Sequence, residues 1–149
     1  MKKQRGFSLV ELLIVVAIIL IIAAIAIPNL VKSRMAANEA SAVESLRTIN
    51  TAEVTFASTY GTGYTNLAAL GGSGLVDSIL SSGKKSGYTF QVAPSDGSGS
   101  SVDPYTGYTA TGVRQSTNMG NRMFCTDSSG VIRYVTVASG CDSSSAPIQ

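Results

Sequence analysis

The sequence predicts an α+β protein in which a long N-terminal α-helix, membrane-spanning in its first half, packs by its second half on a roughly four-stranded antiparallel β-sheet. Two patterns support this prediction. An apolar run near the N-terminus continues into an amphipathic stretch at helical spacing, and short alternating segments separated by turn residues follow it. A sheet of this kind has one apolar face, which the amphipathic half of the helix would cover.

The apolar run is unbroken over residues 12–27, where the sequence is LLIVVAIILIIAAIAI. With Phe7 it extends over residues 7–27, which as a helix would be about 31 Å long and would cross a bilayer core. Three cations directly precede it, and their charge favours a cytoplasmic position for that end of the helix. They are Lys2, Lys3 and Arg5. A secretory signal peptide cleaved within the small residues 23–26 is the alternative, but it would remove the only spanning element.

Glu11 is a charged residue within the longer segment 7–27, directly before its unbroken apolar part. A carboxylate in a spanning helix costs about 2.5–3.5 kcal/mol when central, so such a residue is a functional candidate. No cation lies between Arg5 and Lys32. A cut between Gly6 and Phe7 would create an α-amino group four positions before Glu11, and pairing the amine of one chain with Glu11 of another would set the register of packed helices. The alternative is an interfacial glutamate that keeps its carboxylate in headgroup water.

Pro28 lies where the apolar run gives way to the amphipathic stretch. Its ring and its missing N–H predict a kink or local unwinding between about residues 24 and 28. This feature would be either an extensible element or a simple bend at the membrane surface. Beyond it, apolar residues recur at helical spacing to about residue 58, with Lys32, Glu39, Glu44 and Arg47 mostly on other faces.

The remainder of the chain predicts short helical turns and then strands. The turns fall at residues 65–70 and 76–82, between glycine-rich breaks. Alternating segments that predict strands cover residues 88–93, 105–113, 123–126 and 131–137. The Ser/Gly tract 95–101 and the tail 143–149 are predicted to be loops.

Cys125 and Cys141 are the only cysteines, 16 positions apart, and the chain has no histidine to complete a metal site. A disulfide is favoured over two buried free thiols, which indicates an oxidising compartment. Closing a loop of that length would contribute about 3 kcal/mol.

Charge and residue type disfavour several classes of function. The formal net charge of +2 falls to −1 without the three cations before the apolar run, which leaves no basic cluster for nucleic acid beyond Lys84 and Lys85. Without histidine, the scattered carboxylates and lysines do not suggest acid–base or nucleophilic catalysis, so no enzyme activity and no cofactor are predicted. Four loop aspartates are weak calcium candidates whose spacing matches no calcium-loop pattern: Asp96, Asp103, Asp127 and Asp142.

The sequence GFSLVELL at residues 6–13, behind a short basic leader and ahead of an apolar helix, resembles the processing site of type IV prepilins and the related pseudopilins of type II secretion systems. Residues 27–29, Ile-Pro-Asn, also resemble the end of the apolar run in that family. The resemblance is looser in the head, where it rests on residues 122–133 and on the cysteine pair, which is similar to the disulfide-bounded C-terminal region of pilins.

The resemblance implies a pilin fold and a set of processing roles. Residues 1–6 would be a leader, removed after Gly6 by a membrane prepilin peptidase that also N-methylates Phe7. Residues 7–30 would form the transmembrane and filament-core helix, with Glu11 in subunit registration, and residues 31–149 the globular head. Partners would be identical subunits in a helical filament, an inner-membrane assembly platform with a cytoplasmic ATPase, and membrane lipid before assembly.

Three functional hypotheses follow. The first is a structural subunit of a type IV pilus that serves adhesion, motility or DNA uptake, held in the bacterial inner membrane with its head in the periplasm and then extracellular. The second is a pseudopilin of a periplasmic type II secretion pseudopilus. The third is a single-span anchored binding domain that does not polymerise. Glu11 distinguishes the third from the other two, and the cysteine pair favours the first over the second.

Overall fold

A computed structural model describes residues 6–136 and 140–148 of the chain. It contains two compact units, the first ending at Arg34 and the second beginning at Met35. Three helices are present in the described residues: α1 (Leu9–Tyr60), α2 (Leu67–Gly72) and α3 (Ser78–Ser81). Six strands follow: β1 (Lys84–Lys85), β2 (Tyr88–Ser95), β3 (Gly107–Arg114), β4 (Met123–Asp127), β5 (Arg133–Val135) and β6 (Ala146–Pro147).

The first unit is the apolar half of α1. Its large aliphatic side chains from Leu9 to Val31 are 42–77 % exposed, so the described part of the chain leaves them uncovered. The helix is long and apolar enough to cross a membrane. Its end at Tyr60 lies two residues beyond the predicted end at Ser58.

The second unit contains one antiparallel sheet in which the strands are ordered as in the sequence, from β1 to β6. The prediction of four strands was therefore too low. The four predicted strands correspond to β2, β3, β4 and β5, and the two additional strands, β1 and β6, have two residues each at the edges of the sheet. A period-two pattern needs about four residues to be recognised, so strands this short leave no signal in the sequence.

The C-terminal tail, predicted to be a loop, contributes β6. Ala146 pairs with Tyr134, and Pro147 pairs with Arg133. Ile148 N–H then donates to the carbonyl of Ile132 at 2.9 Å. The predicted strand at 131–137 is shorter in the structure, since β5 ends at Val135; the end of the predicted segment at Val137 lies outside the described residues.

The short helices α2 and α3 begin at capping side chains. The Asn66 side chain accepts a hydrogen bond from the N–H of Ala69 at 2.9 Å, and Asp77 accepts from Leu80 at 2.7 Å. Each cap satisfies an amide that has no partner within the first turn. Asn66 and Asp77 thus fix the starts of the two helical turns that the sequence predicts.

The core lies between the second half of α1 and one face of the sheet. From α1 it contains Ala42, Leu46 and Ile49, which belong to the predicted apolar face. Even-numbered residues of the central strands share one face, because Phe90 pairs with Gly112 and Gly112 pairs with Phe124. That face is turned to the helix, since Phe90 and Phe124 are buried in one cluster with α1 side chains. At Gly112 a Cβ atom would lie 3.1 Å from the Phe90 ring, so the glycine leaves room for that ring.

Glu39 ties α1 to the connection between β3 and β4. The sequence places Glu39 away from the apolar face, whereas the structure buries it to 7 % exposure. Its Oε1 accepts from the backbone N–H groups of Asn121 (2.6 Å) and Arg122 (3.1 Å), and its Oε2 accepts from Arg122 Nε at 2.8 Å. Burial alone would raise the pKa of Glu39, but these bonds outweigh it and hold the pKa below its ordinary value.

We expect Glu39→Ala to lower the free energy of unfolding of the head by about 2–4 kcal/mol, because it leaves two amides and a guanidinium without their acceptor. Glu39→Gln should cost less, since its side-chain oxygen still accepts from an amide. Near-ultraviolet circular dichroism of the detergent-solubilised chain during urea unfolding measures the change.

The matched control is Glu44→Ala, whose carboxylate is 71 % exposed on the same helix and should cost under about 1 kcal/mol. Equal losses in the two alanine variants would contradict the anchoring role of Glu39. Because the pKa of Glu39 is lowered on folding, its contribution should be present above the ordinary pKa of 4.5 and lost as the pH falls through the lowered value.

Candidate functional site

The residues at the predicted cleavage point lie outside α1. Gly6 and Phe7 precede the helix in the irregular segment that ends at Ser8, and both are exposed. A Cβ atom placed on Gly6 would meet nothing within 4 Å. The fold therefore places no steric demand for glycine at position 6. The leader cations at positions 2, 3 and 5 lie outside the described residues.

Ser8 and Glu11 form the start of α1. The backbone N–H of Ser8 donates to Glu11 Oε2 at 3.0 Å, and the first helical bond runs from Leu12 N–H to the Ser8 carbonyl at 3.2 Å. This is the glutamate half of a capping box, in which an N-cap serine is followed three residues later by glutamate. Sequence reasoning missed this contact, although the S-x-x-E spacing ahead of an apolar run was available to indicate it.

The capping bond satisfies one carboxylate oxygen but adds no positive charge. The nearest cations along the sequence are Arg5 and Lys32, on either side of the apolar run. Among the described residues, the three ion pairs all lie in the second unit, so Glu11 takes part in none of them. Its pairing with an amine of another chain stays a prediction.

Pro28 lies inside α1, and residues on both sides of it are helical. The proline nitrogen has no hydrogen to donate, so the carbonyl of Ala24 is left without its helical partner. The helix is therefore weakest in hydrogen bonding at the turn before Pro28. The predicted kink at Pro28 stays a prediction.

Comparison with known proteins finds one family model and relatives that match part of the chain. Residues 1–27 match the family model described as the prokaryotic N-terminal methylation motif. The chain is 48% identical over 54 residues to the type IV major pilin protein PilA of Myxococcus xanthus, a match that covers 36% of this chain and 24% of the relative. The first 27 residues thus carry a methylation motif, and part of the chain is similar to a type IV pilin.

A second relative is the type IV wide pilus major component PilA4 of Thermus thermophilus, 56% identical over 39 residues. That match covers 26% of this chain and 30% of the relative. The chain thus spans less than a third of the length of either relative that it matches. The family model covers residues 1–27 only, and the fold of the head is taken from the structure itself.

In the second unit, Cys125 of β4 and Cys141 are joined in a disulfide, with their Cα atoms 5.7 Å apart. Cys125 is buried. The bond connects the sheet to the segment before β6 and closes a loop of 16 positions. It therefore constrains the C-terminal segment that supplies the last edge strand.

The four aspartates proposed as weak calcium candidates fall in two places. Asp96 and Asp103 lie in the connection between β2 and β3, whereas Asp127 and Asp142 line a cavity of about 260 Å³ beside the disulfide. Hydrogen bonds from Ser129 to Asp127 and from Ser144 to Asp142 lower the pKa of each carboxyl. In the parts of the chain that the structure describes, no three acidic, histidine or cysteine side chains cluster in a way that could hold a metal ion.

We expect the double variant Cys125→Ala, Cys141→Ala to lower the free energy of unfolding by about 3 kcal/mol, because the unfolded chain regains the entropy of an open loop. Urea unfolding of the detergent-solubilised chain measures the difference. A reductant should destabilise the native chain and leave the double variant unchanged. An equal midpoint for the native chain and the variant would contradict a stabilising disulfide.

Proposed function

We propose that this chain is a structural subunit of a type IV pilus, which polymerises through its N-terminal helix after removal of residues 1–6 and N-methylation of Phe7. The observation that supports this most strongly is the combination in one segment of an exposed aliphatic surface and a single carboxylate near its start, within a matched N-terminal methylation motif. Both relatives are named as type IV pilus proteins, which favours a pilus over a secretion pseudopilus.

The exposed apolar surface of α1 requires cover in both stages of the proposed life of the subunit. Removing aliphatic surface from water is favourable by about 25 cal/mol per Å², so the apolar segment of α1 up to Val31 does not stay in water. Before assembly, lipid provides the cover. In the filament, the same side chains pack against identical helices of neighbouring subunits.

Glu11 gives the packed helices a defined stagger. An apolar surface alone packs in many registers at similar free energy, whereas an uncompensated charge in an apolar environment is costly. The α-amino group freed at Phe7 is the cation that the segment lacks. A neighbouring subunit brings its amine to Glu11 in one register only.

The proposed assembly partners follow from this cycle. A membrane prepilin peptidase would cut after Gly6, and an inner-membrane platform with a cytoplasmic ATPase would extract the helix from lipid. The role of the chain itself is structural. Its head would be periplasmic before assembly and extracellular afterwards.

We expect Glu11→Ala to abolish filaments without preventing processing. The native chain should be recovered in sheared surface material as long filaments visible by electron microscopy, and the variant should be processed, membrane-bound and absent from that material. Immunoblots of the sheared and membrane fractions quantify the difference. Absence of the native chain from filaments would contradict the proposed function, and an unchanged yield from Glu11→Ala would contradict registration alone.

Glu11→Gln is the matched variant, because glutamine also serves as the third helical residue of a capping box but carries no charge. If the charge sets the register, Glu11→Gln should assemble as poorly as Glu11→Ala. Assembly at the native level would instead assign the role of Glu11 to the helix start.

We expect Gly6→Val to stop cleavage. The free space around Gly6 means that the substitution should not disturb the chain, so any effect reports on recognition by the peptidase. Mass spectrometry of the membrane fraction should show the native chain without its six-residue leader and the variant with it. Complete processing of Gly6→Val would contradict cleavage at this bond, and an altered urea midpoint of the head would indicate a folding defect.

A further inference from the structure

Glu53, another glutamate of α1, is buried more deeply than Glu39. Glu53 is 0 % exposed, on the part of the helix that packs within the head. No step of processing or filament assembly described above uses it. A carboxyl group without contact with water is costly to keep charged unless it has a cationic partner and a full set of hydrogen bonds.

Glu53 has neither. Its Oε2 accepts one hydrogen bond, from the backbone N–H of Thr65 at 2.9 Å, and its Oε1 is buried without a partner among the described residues. The ion pairs within the described residues belong to other carboxylates: Glu39, Glu44 and Asp77. Burial outweighs the single bond from Thr65 and raises the pKa of Glu53 to about 7.

Among the residues with described positions, the titratable groups around Glu53 supply no positive charge. Tyr108 of β3 is near enough that burial and then the charge of Glu53 raise the pKa of its hydroxyl. That hydroxyl donates to Asn50 of α1 at 2.8 Å, so its hydrogen is used elsewhere. Beyond it lie Tyr64, whose ring centroid is 4.7 Å from that of Tyr108, and Asp127, which adds a further negative charge. The helix α2 (Leu67–Gly72) carries no titratable side chain.

Thr65 belongs to residues 61–66, the connection between α1 and α2, which we call the strap. Two backbone hydrogen bonds join the strap to Tyr105: Tyr64 N–H donates to the Tyr105 carbonyl and Tyr105 N–H donates to the Thr62 carbonyl, both at 3.1 Å. Gly63 forms an isolated parallel bridge with Tyr105. Of the bonds that hold the strap, only the one to Glu53 depends on a proton.

We propose that Glu53 is a proton-dependent latch on the strap: as a neutral acid it lets the strap close over α1, and as a carboxylate it favours an open strap that admits water. The open state gives the carboxylate the solvation that the closed head denies it. The bonds to Tyr105 are released with it, so the protonation state of one buried group controls the middle of the connection.

The direction of the pH dependence follows from the sign of the shift. The pKa of Glu53 in the closed head is above its ordinary value of 4.5, so its contribution to closure is fully present below about 4.5. Between these two values the equilibrium constant for closing the strap decreases by roughly tenfold per pH unit, and the contribution is lost once the pH has passed through about 7. Above that pH the equilibrium constant no longer changes with pH.

Hydrogen–deuterium exchange of the full-length chain in detergent tests the latch. We expect protection of the amides of Tyr64 and Thr65, corrected for the intrinsic rate at each pH, to decrease by roughly tenfold per unit between about pH 5 and 7 and then to level off. Glu53→Gln has nearly the same shape and no charge, so its protection should stay constant over that range. Glu44→Gln, an exposed neutral substitution on the same helix, should follow the native chain.

A direct titration covers the case in which Glu53→Gln does not fold. The ¹³Cδ resonance of Glu53 in the native chain should titrate with a midpoint well above 4.5. A midpoint at or below 4.5 overturns the proposal. So does native strap protection that is constant between pH 5 and 7, or a Glu53→Gln variant that keeps the native pH dependence.

Discussion

The antiparallel sheet has one face of aromatic and aliphatic side chains that water would solvate poorly, and the second half of α1 is the element that covers it. Leu46 and Ile49 are completely buried against Phe90 and Phe124, and this contact is the centre of the head. The sheet without the helix would expose that face. The short helices, the strap and the edge strands are arranged around this single layer contact.

The same helix contains residues suited to two different environments. Up to Val31 its large aliphatic side chains are exposed among the residues that the structure describes, and the first residue of α1 that is buried is Glu39. Serving both environments requires a change of pattern along one continuous helix, from apolar on all faces to apolar on one face. That change occurs close to Pro28.

The three structurally important glutamates of α1 show how environment sets the behaviour of one side-chain type. Glu11 caps its own helix in an apolar segment without a cation. Glu39 has three donors and is stabilised as a carboxylate, whereas Glu53 has one donor and is stabilised as an acid. Glu39 and Glu53 therefore give the head opposite responses to pH, and the number of hydrogen-bond donors that the fold brings to each carboxyl decides the direction.

The sequence by itself determined the features that depend on local pattern: the apolar run, the extent of α1 to within two residues, the four longer strands and the N-terminal methylation motif. Local pattern determines them because side-chain periodicity reports directly which faces of an element avoid water. The tertiary structure alone decided the fate of Glu39 and Glu53, since the donors at Asn121 and Arg122 lie more than 80 positions from Glu39. It likewise decided the two edge strands: Lys84–Lys85 pairs with β2, and Ala146–Pro147 pairs with β5. Strands of two residues form only where a neighbouring strand already presents free backbone groups.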